Sequence, residues 1–228
     1  MSRKSLGVVV AVVACLTVAG CGSDKKEPTA VTTSDKLVSI DDIPSDYSTV
    51  VMSVDDLQAN NAQNLDQMKT ATYSPPQCKP TADDALNRAI SPQNTSLLVT
   101  QGPNQNSITE LVTTVIRDID SDRRTGTGAC ATVTTSIHAG LMAGATMVTE
   151  SRELPIDKGA ASDAFVARQI VTTTLPNNPT QTATSLVGYA IVGKVTVQLT
   201  GHFNSNPMPN EQFVRIFSQA IAAADKSD

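Results

Sequence analysis

Apolar residues follow three textures along this chain. Residues 6–18 form an apolar stretch, interrupted only by Thr17, that stops at Ala19, Gly20 and Cys21, after which the chain turns polar and charged. From Gly22 to about Ile40, "GSDKKEPTAVTTSDKLVS" has little to bury and no period, so it cannot offset its ordering entropy and reads as a flexible tether. Residues 41–76 are rich in Asn, Gln and Asp. Ser53 with Asp56 marks the start of a short helix there, with Leu57, Leu65 and Met68 on its buried side. "SPPQCKP" is extended, since the residue before a proline is pushed out of the α region. Thr81 opens a capping-box pattern before a helix that must stop by Ile90, because Ser91 and Pro92 follow.

From Thr95 onward the texture is β. "TSLLVTQ", "ACATVTTSI", "GLMAGATMVTE", "FVARQIVTTTL", "SLVGYAIV" and "KVTVQLTG" are rich in Val and Thr, with apolar and polar positions alternating. "SITELVTTVIRDI" reads as strand or helix. Gly193 and Lys194 suit a tight type II′ hairpin turn. Asn210 is placed as the N-cap of a final helix running to about Asp225. Its Phe213, Ile216, Phe217, Ala220, Ile221 and Ala224 form one apolar stripe. Strands in succession with helices at either end predict an α+β fold. The expectation is a single domain, a twisted antiparallel sheet packed against helices that include a C-terminal amphipathic one.

The opening run changes the picture of where the chain works. Arg3 and Lys4, the apolar stretch and the small residues before Cys21 have the layout of a secretory signal, and the stretch is shorter than the roughly 20 residues a membrane-spanning helix needs. Its ending, Val-Ala-Gly-Cys, resembles the lipobox of bacterial lipoproteins. That resemblance implies cleavage before Cys21, which becomes the first residue, diacylation of its thiol, and attachment to the outer face of the cytoplasmic membrane. The expected boundaries are a signal peptide over 1–20, a tether over 21–40 and an extracytoplasmic domain over 41–228. In lipoproteins of this kind Thr-rich tethers are often O-glycosylated, which makes Thr29, Thr32 and Thr33 the candidates; an unmodified spacer is the alternative.

Composition narrows the partners. Without residues 1–20 the chain keeps 15 basic and 22 acidic side chains, which argues against nucleic acid or anionic lipid held by charge. It has no Trp, four Phe and three Tyr, few platforms for stacking bases or sugars. Cys15 leaves with the signal and Cys21 is assigned to lipid. Cys78 and Cys130 remain, an even pair that reads as a disulfide in an oxidising compartment, with two free thiols as the alternative.

"IPSDYSTV", "SPPQCKP" ahead of a helix, a second Cys on a strand, "VGYAIVGKVTVQL" and the terminal amphipathic helix together resemble a family of uncharacterised mycobacterial lipoproteins, over residues 41–225. That family is distantly similar to the extracellular sensor domain of the kinase PknH. This chain lacks the Trp and second disulfide of the sensor domain, so no binding residue is carried over.

Motifs for chemistry are sparse. Asp118, Asp120 and Asp122 alternate like the start of a calcium loop, but Arg123 and Ala129 occupy the positions that need Gly and Glu. A solvated loop with local ion pairs is the expectation. "TGTGACA" follows a charged loop rather than a strand, and reads as turn glycines. Ser23 and Lys26 have Ser-x-x-Lys spacing but lie in the tether. His138 and His202 sit in no recognisable motif. The expectation is therefore no enzyme, no cofactor and no metal, but a ligand- or protein-binding module of the envelope. The alternative is a lipid or glycolipid carrier with an apolar cavity between sheet and C-terminal helix, around Phe213, Phe217 and Ile221. Small residues in "HAGLMAGAT" suit either a cavity or close packing.

Overall fold

The computed structural model describes residues 32–176 and 178–226. The fold is α+β, as the sequence implies. Its strands are β1 (Ser48–Thr49), β2 (Thr72–Ser74), β3 (Thr95–Gln101), β4 (Ser107–Thr113), β5 (Thr132–Ser136), β6 (Thr146–Glu153), β7 (Asp163–Thr174), β8 (Gln181–Val192) and β9 (Val195–Phe203). Its α-helices are α1 (Val54–Lys69), α2 (Ala82–Ala89), α3 (Ile119–Gly126) and α4 (Asn210–Ala224). All the strands join one antiparallel sheet in the order β1-β3-β4-β9-β8-β7-β6-β5-β2.

The connections explain the layers. β5 to β9 run as a meander, which needs only short turns; Val192 pairs with Val195 across Gly193, whose φ of 56° suits a residue without a Cβ. The remaining strands are placed by crossings. The chain passes from β1 at one edge through α1 to β2 at the other, and back through α2 to β3. It crosses again through α3 from β4 to β5. These three crossings pack against one face of the sheet. α4 covers the other.

The period-2 alternation of the strands sorts side chains between the two faces. Ile108, Val112, Val166, Leu186, Val197 and Leu199 point to α4 and bury its stripe of Phe213, Ile216, Phe217, Ala220, Ile221 and Ala224. Packing is close enough that a Cβ at Gly188 would lie 2.9 Å from the Phe217 ring. The apolar cavity expected at Phe213, Phe217 and Ile221 is therefore filled by the helix's own side chains, and close packing is the outcome.

Several expectations need correction. The tether boundary at 40 is too late, and Thr33 is no exposed glycosylation candidate. Thr33 is buried with its hydroxyl 2.7 Å from that of Ser96, while Thr32 is exposed. Lys36 donates to the carbonyls of Ala224 (3.4 Å) and Lys226 (2.8 Å), where the α4 dipole favours a cation. Val38 is buried and its N–H donates to Glu110 at 2.8 Å. The domain thus begins by Thr33, held through partners that no local pattern reveals. Cys21 and Thr29 lie outside the described residues.

At α1 the expected cap is present: Ser53 and Asp56 exchange side-chain and backbone hydrogen bonds. At α2 it is not, because the Thr81 hydroxyl meets that of Ser121 at 3.3 Å instead. Pro209, not Asn210, is the N-cap of α4. "SPPQCKP" contains a one-turn 3-10 helix at Pro76–Cys78, and Cys130 ends another at Gly128–Cys130, just before β5 rather than on it. The segment read as a solvated loop forms α3, capped by the Asp118 carboxylate, which accepts from the Ser121 N–H at 2.8 Å. Its local ion pairs are as expected, with Asp120 bonded to Arg123 at 2.8 Å.

Candidate functional site

On the helical face the three crossings do not close over the sheet. Between α1, α2 and strands β4, β8 and β9 lies a cleft of about 440 Å³. A second hollow of about 200 Å³ continues it toward α3, β5 and β6, and the two share Asp83, Gln169, Val187 and Tyr189 in their common wall. The combined space is in the range of small-ligand sites, about 300–1,000 Å³.

The roof is fixed by a reciprocal pair of amides. Gln58 of α1 donates to the backbone carbonyls of Asn87 (2.7 Å) and Ile90 (3.2 Å), and Asn87 of α2 donates back to the carbonyl of Gln58 at 3.1 Å. The Oδ1 of Asn87 is buried without a partner among the described residues. Beneath the roof Val54, Leu57, Leu86, Ile90, Leu97 and Leu111 make a small apolar cluster. α2 ends where Asn94 accepts from the Ser91 N–H and donates to the carbonyl of Ala89.

The floor is organised by Arg117, which stands between β4 and α3 with its side chain only 1% exposed. Its guanidinium donates to both oxygens of Asp122 (2.7 and 2.8 Å), to Asp83 (2.6 Å) and to Gln198 (3.1 Å). It also lies over the Tyr189 ring, 3.9 Å from the centroid. Burial works against its charge, but the Tyr189 oxygen, Asp122 and Asp83 outweigh that and hold its pKa above the usual guanidinium value. Burial pushes the Asp122 carboxyl up in spite of its two bonds to Arg117. Burial also holds the Tyr189 phenol well above the ordinary range, so it stays neutral.

Cys78 and Cys130 are joined in a disulfide, with Cα atoms 5.4 Å apart. The bond ties the segment ahead of α2 to the start of β5, and Cys78 lines the second hollow. Anchoring α2 at this end and to α1 at the other keeps the wall of the cleft in place.

Of the residues singled out by sequence, the histidines fall apart in space. His138 is exposed, 3.1 Å from the Thr72 hydroxyl. His202 is exposed on the cleft side, with Nδ1 3.3 Å from Ser185, a residue of the lining. Among the described residues no carboxylate is bonded to His202. Ser185 is mid-strand, paired on both sides with Gln169 and His202, so the ladder takes up the backbone N–H groups that could have held an oxyanion. The Asp118, Asp120 and Asp122 run is split among a helix cap, Arg123 and Arg117. No group of three potential metal ligands occurs among the described residues.

The lining itself was missed by sequence reading. Gln169, Ser185, Tyr189 and Gln198 occupy polar or amphipathic alternations that look like a solvent-facing side of a strand. The available signal was their position in central strands, where polar residues on a face that helices cover need an explanation.

No family model and no curated protein matches the chain. It is similar to the X-ray structure of an uncharacterized protein from Mycobacterium smegmatis, the Rv0999 ortholog, with a TM-score of 0.43 and 17% identity over 69% of this chain and 77% of that one.

Proposed function

We propose that this chain is a lipid-anchored, extracytoplasmic binding module of the cell envelope that holds a ligand in the cleft under α1 and α2. The observation that carries this reading is the cleft itself, a hollow above a rigid floor whose wall is locked by an amide pair and a disulfide. The side-chain amides of Asn61, Asn64 and Gln169 line it and have no hydrogen-bond partner among the described residues, so their donors and acceptors are open to a ligand. The disulfide fits an oxidising compartment. The address rests on the residues before Cys21, and with it goes the resemblance to mycobacterial lipoproteins and to the sensor domain of PknH. Binding rather than catalysis is favoured because, among the described residues, no carboxylate is bonded to His202 and the strand ladder takes up the backbone around Ser185.

Two variants test the two halves. Cys21→Ala should leave an unprocessed precursor that takes up no labelled fatty acid; correct processing with label would end the lipoprotein reading. Native mass spectrometry of protein purified from envelopes should show a small-molecule adduct that Asn64→Trp, a side chain added over the cleft mouth, removes without lowering Tm. An adduct that survives this substitution, or none in the wild type, would count against the cleft.

A further inference from the structure

We propose that the ligand is a neutral molecule carrying several hydroxyl groups, of the size of a small oligosaccharide; this rests on the reading that the cleft is the binding site. Charge decides the first point. In the main hollow the ionisable side chains are Asp83 and the phenol of Tyr189, and the second hollow adds Asp122 and the phenol of Tyr73. Both carboxylates bind the same guanidinium, that of Arg117. One cation between two anions leaves the floor slightly negative, and the guanidinium has four of its five donors committed. A phosphate or carboxylate entering here would lose its water and gain no cation. Lys69, Lys79 and Arg88 line a neighbouring depression that shares Leu65 with the main hollow and Met68, Tyr73 and Pro80 with the second, but none of them lines either hollow: Lys69 is paired with Asp66, Arg88 with Asp84, and Lys79 lies 5.9 Å from the centre of the Tyr73 ring.

Hydrogen bonding decides the second. An uncharged amide offers two donors and an acceptor in one plane, which matches hydroxyl groups that each donate and accept. Asn61 and Asn64 bring such groups from the roof, Gln169 and Gln198 from the floor, and Tyr189 adds a phenol in the wall common to both hollows. An acyl chain in the same place would strip water from these groups and return nothing. Tyr189 is the aromatic ring of the main hollow, and Leu57, Leu65, Leu111 and Val187 add aliphatic patches that give the C–H face of a sugar ring van der Waals contact in place of aromatic stacking. Mixed polar and apolar lining of this kind fits a saccharide better than a lipid or an anion.

The test is NMR titration of the full-length protein with trehalose, maltose and cellobiose as neutral probes, glucose 6-phosphate as an anionic one and monolauroylglycerol as an apolar one. The expected result is that a neutral saccharide shifts the signals of Gln169 and Tyr189, and that Asn64→Leu with Gln169→Leu weakens its binding at least tenfold at unchanged Tm. If the phosphorylated sugar or the lauroyl lipid shifts those signals and no neutral saccharide does, the ligand class is overturned while the binding cleft stands. If a saccharide binds but shifts only residues outside the cleft, both readings fall. A panel that leaves every cleft signal in place overturns the saccharide class, and the adduct experiment above then decides the cleft alone.

Discussion

The two faces of the sheet use the same strands for opposite ends. Toward α4 the strands present Val, Leu, Ile and Ala to a helix whose Phe213, Ile216 and Phe217 are fully excluded from solvent. Toward α1, α2 and α3 the next residues along the same strands are Thr109, Gln169, Ser185, Tyr189 and Gln198. One face is covered by a single long helix lying flat; the other is bridged by three crossings that leave space between them. A solid core and an open polar surface are thus separated by one residue of register, because side chains alternate sides of the sheet. The α4 face carries the fold. The cleft face depends on polar ties, the Arg117 cluster and the disulfide, to hold an opening that packing would otherwise collapse.

The sharpest way to break this contrast is Phe217→Ala, which should cost about 3–5 kcal/mol in urea unfolding, as large aromatic deletions in full cores do. A loss below about 1 kcal/mol would mean that the α4 face is not a solid core. Next comes the disulfide. A Cys78→Ser, Cys130→Ser double variant opens a loop with a sequence separation of 52 and should lose about 4 kcal/mol on the chain-entropy model. Hydrogen exchange should then quicken around α2 and β5 more than in α4; equal quickening would show that the bond does not serve the cleft side in particular.

Acid–base behaviour sharpens the comparison on the α4 side, where Glu110 is buried with one oxygen bonded to Val38 and the other unpartnered among the described residues. Burial raises its pKa from 4.5 to about 8, with the Val38 bond only partly opposing this. Between those values the folded chain holds a proton that the unfolded chain has released. The contribution of Glu110 to stability should therefore be greatest below about pH 4.5, decline as pH rises toward about 8, and level off above it. Glu110→Gln should flatten that decline in melting curves taken across the range, and an unchanged slope would show that Glu110 does not cause it. Smallest of all, Asn61→Ala and Asn64→Ala on the open side of α1 should change stability by no more than about 0.5 kcal/mol, since their amides hold nothing in the fold. A larger loss, measured by urea titration, would mean that they serve structure after all.

How much of this was legible in the sequence follows the same division. The α4 stripe, the strands from Thr95 onward except β4, whose segment reads as strand or helix, and the turn at Gly193 could be read, because apolar spacing and local turn chemistry specify them. The disulfide followed from parity and compartment. The beginning of the domain could not, since Thr33, Lys36 and Val38 are held by Ser96, the end of α4 and Glu110, all far away in sequence. α3 was hidden for a related reason: in "IDSDRRTG" only Ile119 is apolar, and the helix is fixed by a cap and by ion pairs. The cleft was least legible. Arg117 lies in a stretch that reads as strand or helix, and its partners Asp83, Asp122, Tyr189 and Gln198 come from four separate elements.

The placement of Thr33 and Lys36 also has a mechanical consequence. They join the domain behind the sheet, against β3 and the end of α4. A pull on the chain ahead of them is therefore borne by the Thr33–Ser96 contact, the Lys36 bonds and the Val38–Glu110 link, and passes into the densest part of the molecule. α1 and α2, which frame the opening on the far side, lie off that line of force. Drag or tension at the leading end should thus leave the aperture its resting width, so that a tethered copy and a free one present the same mouth to their surroundings.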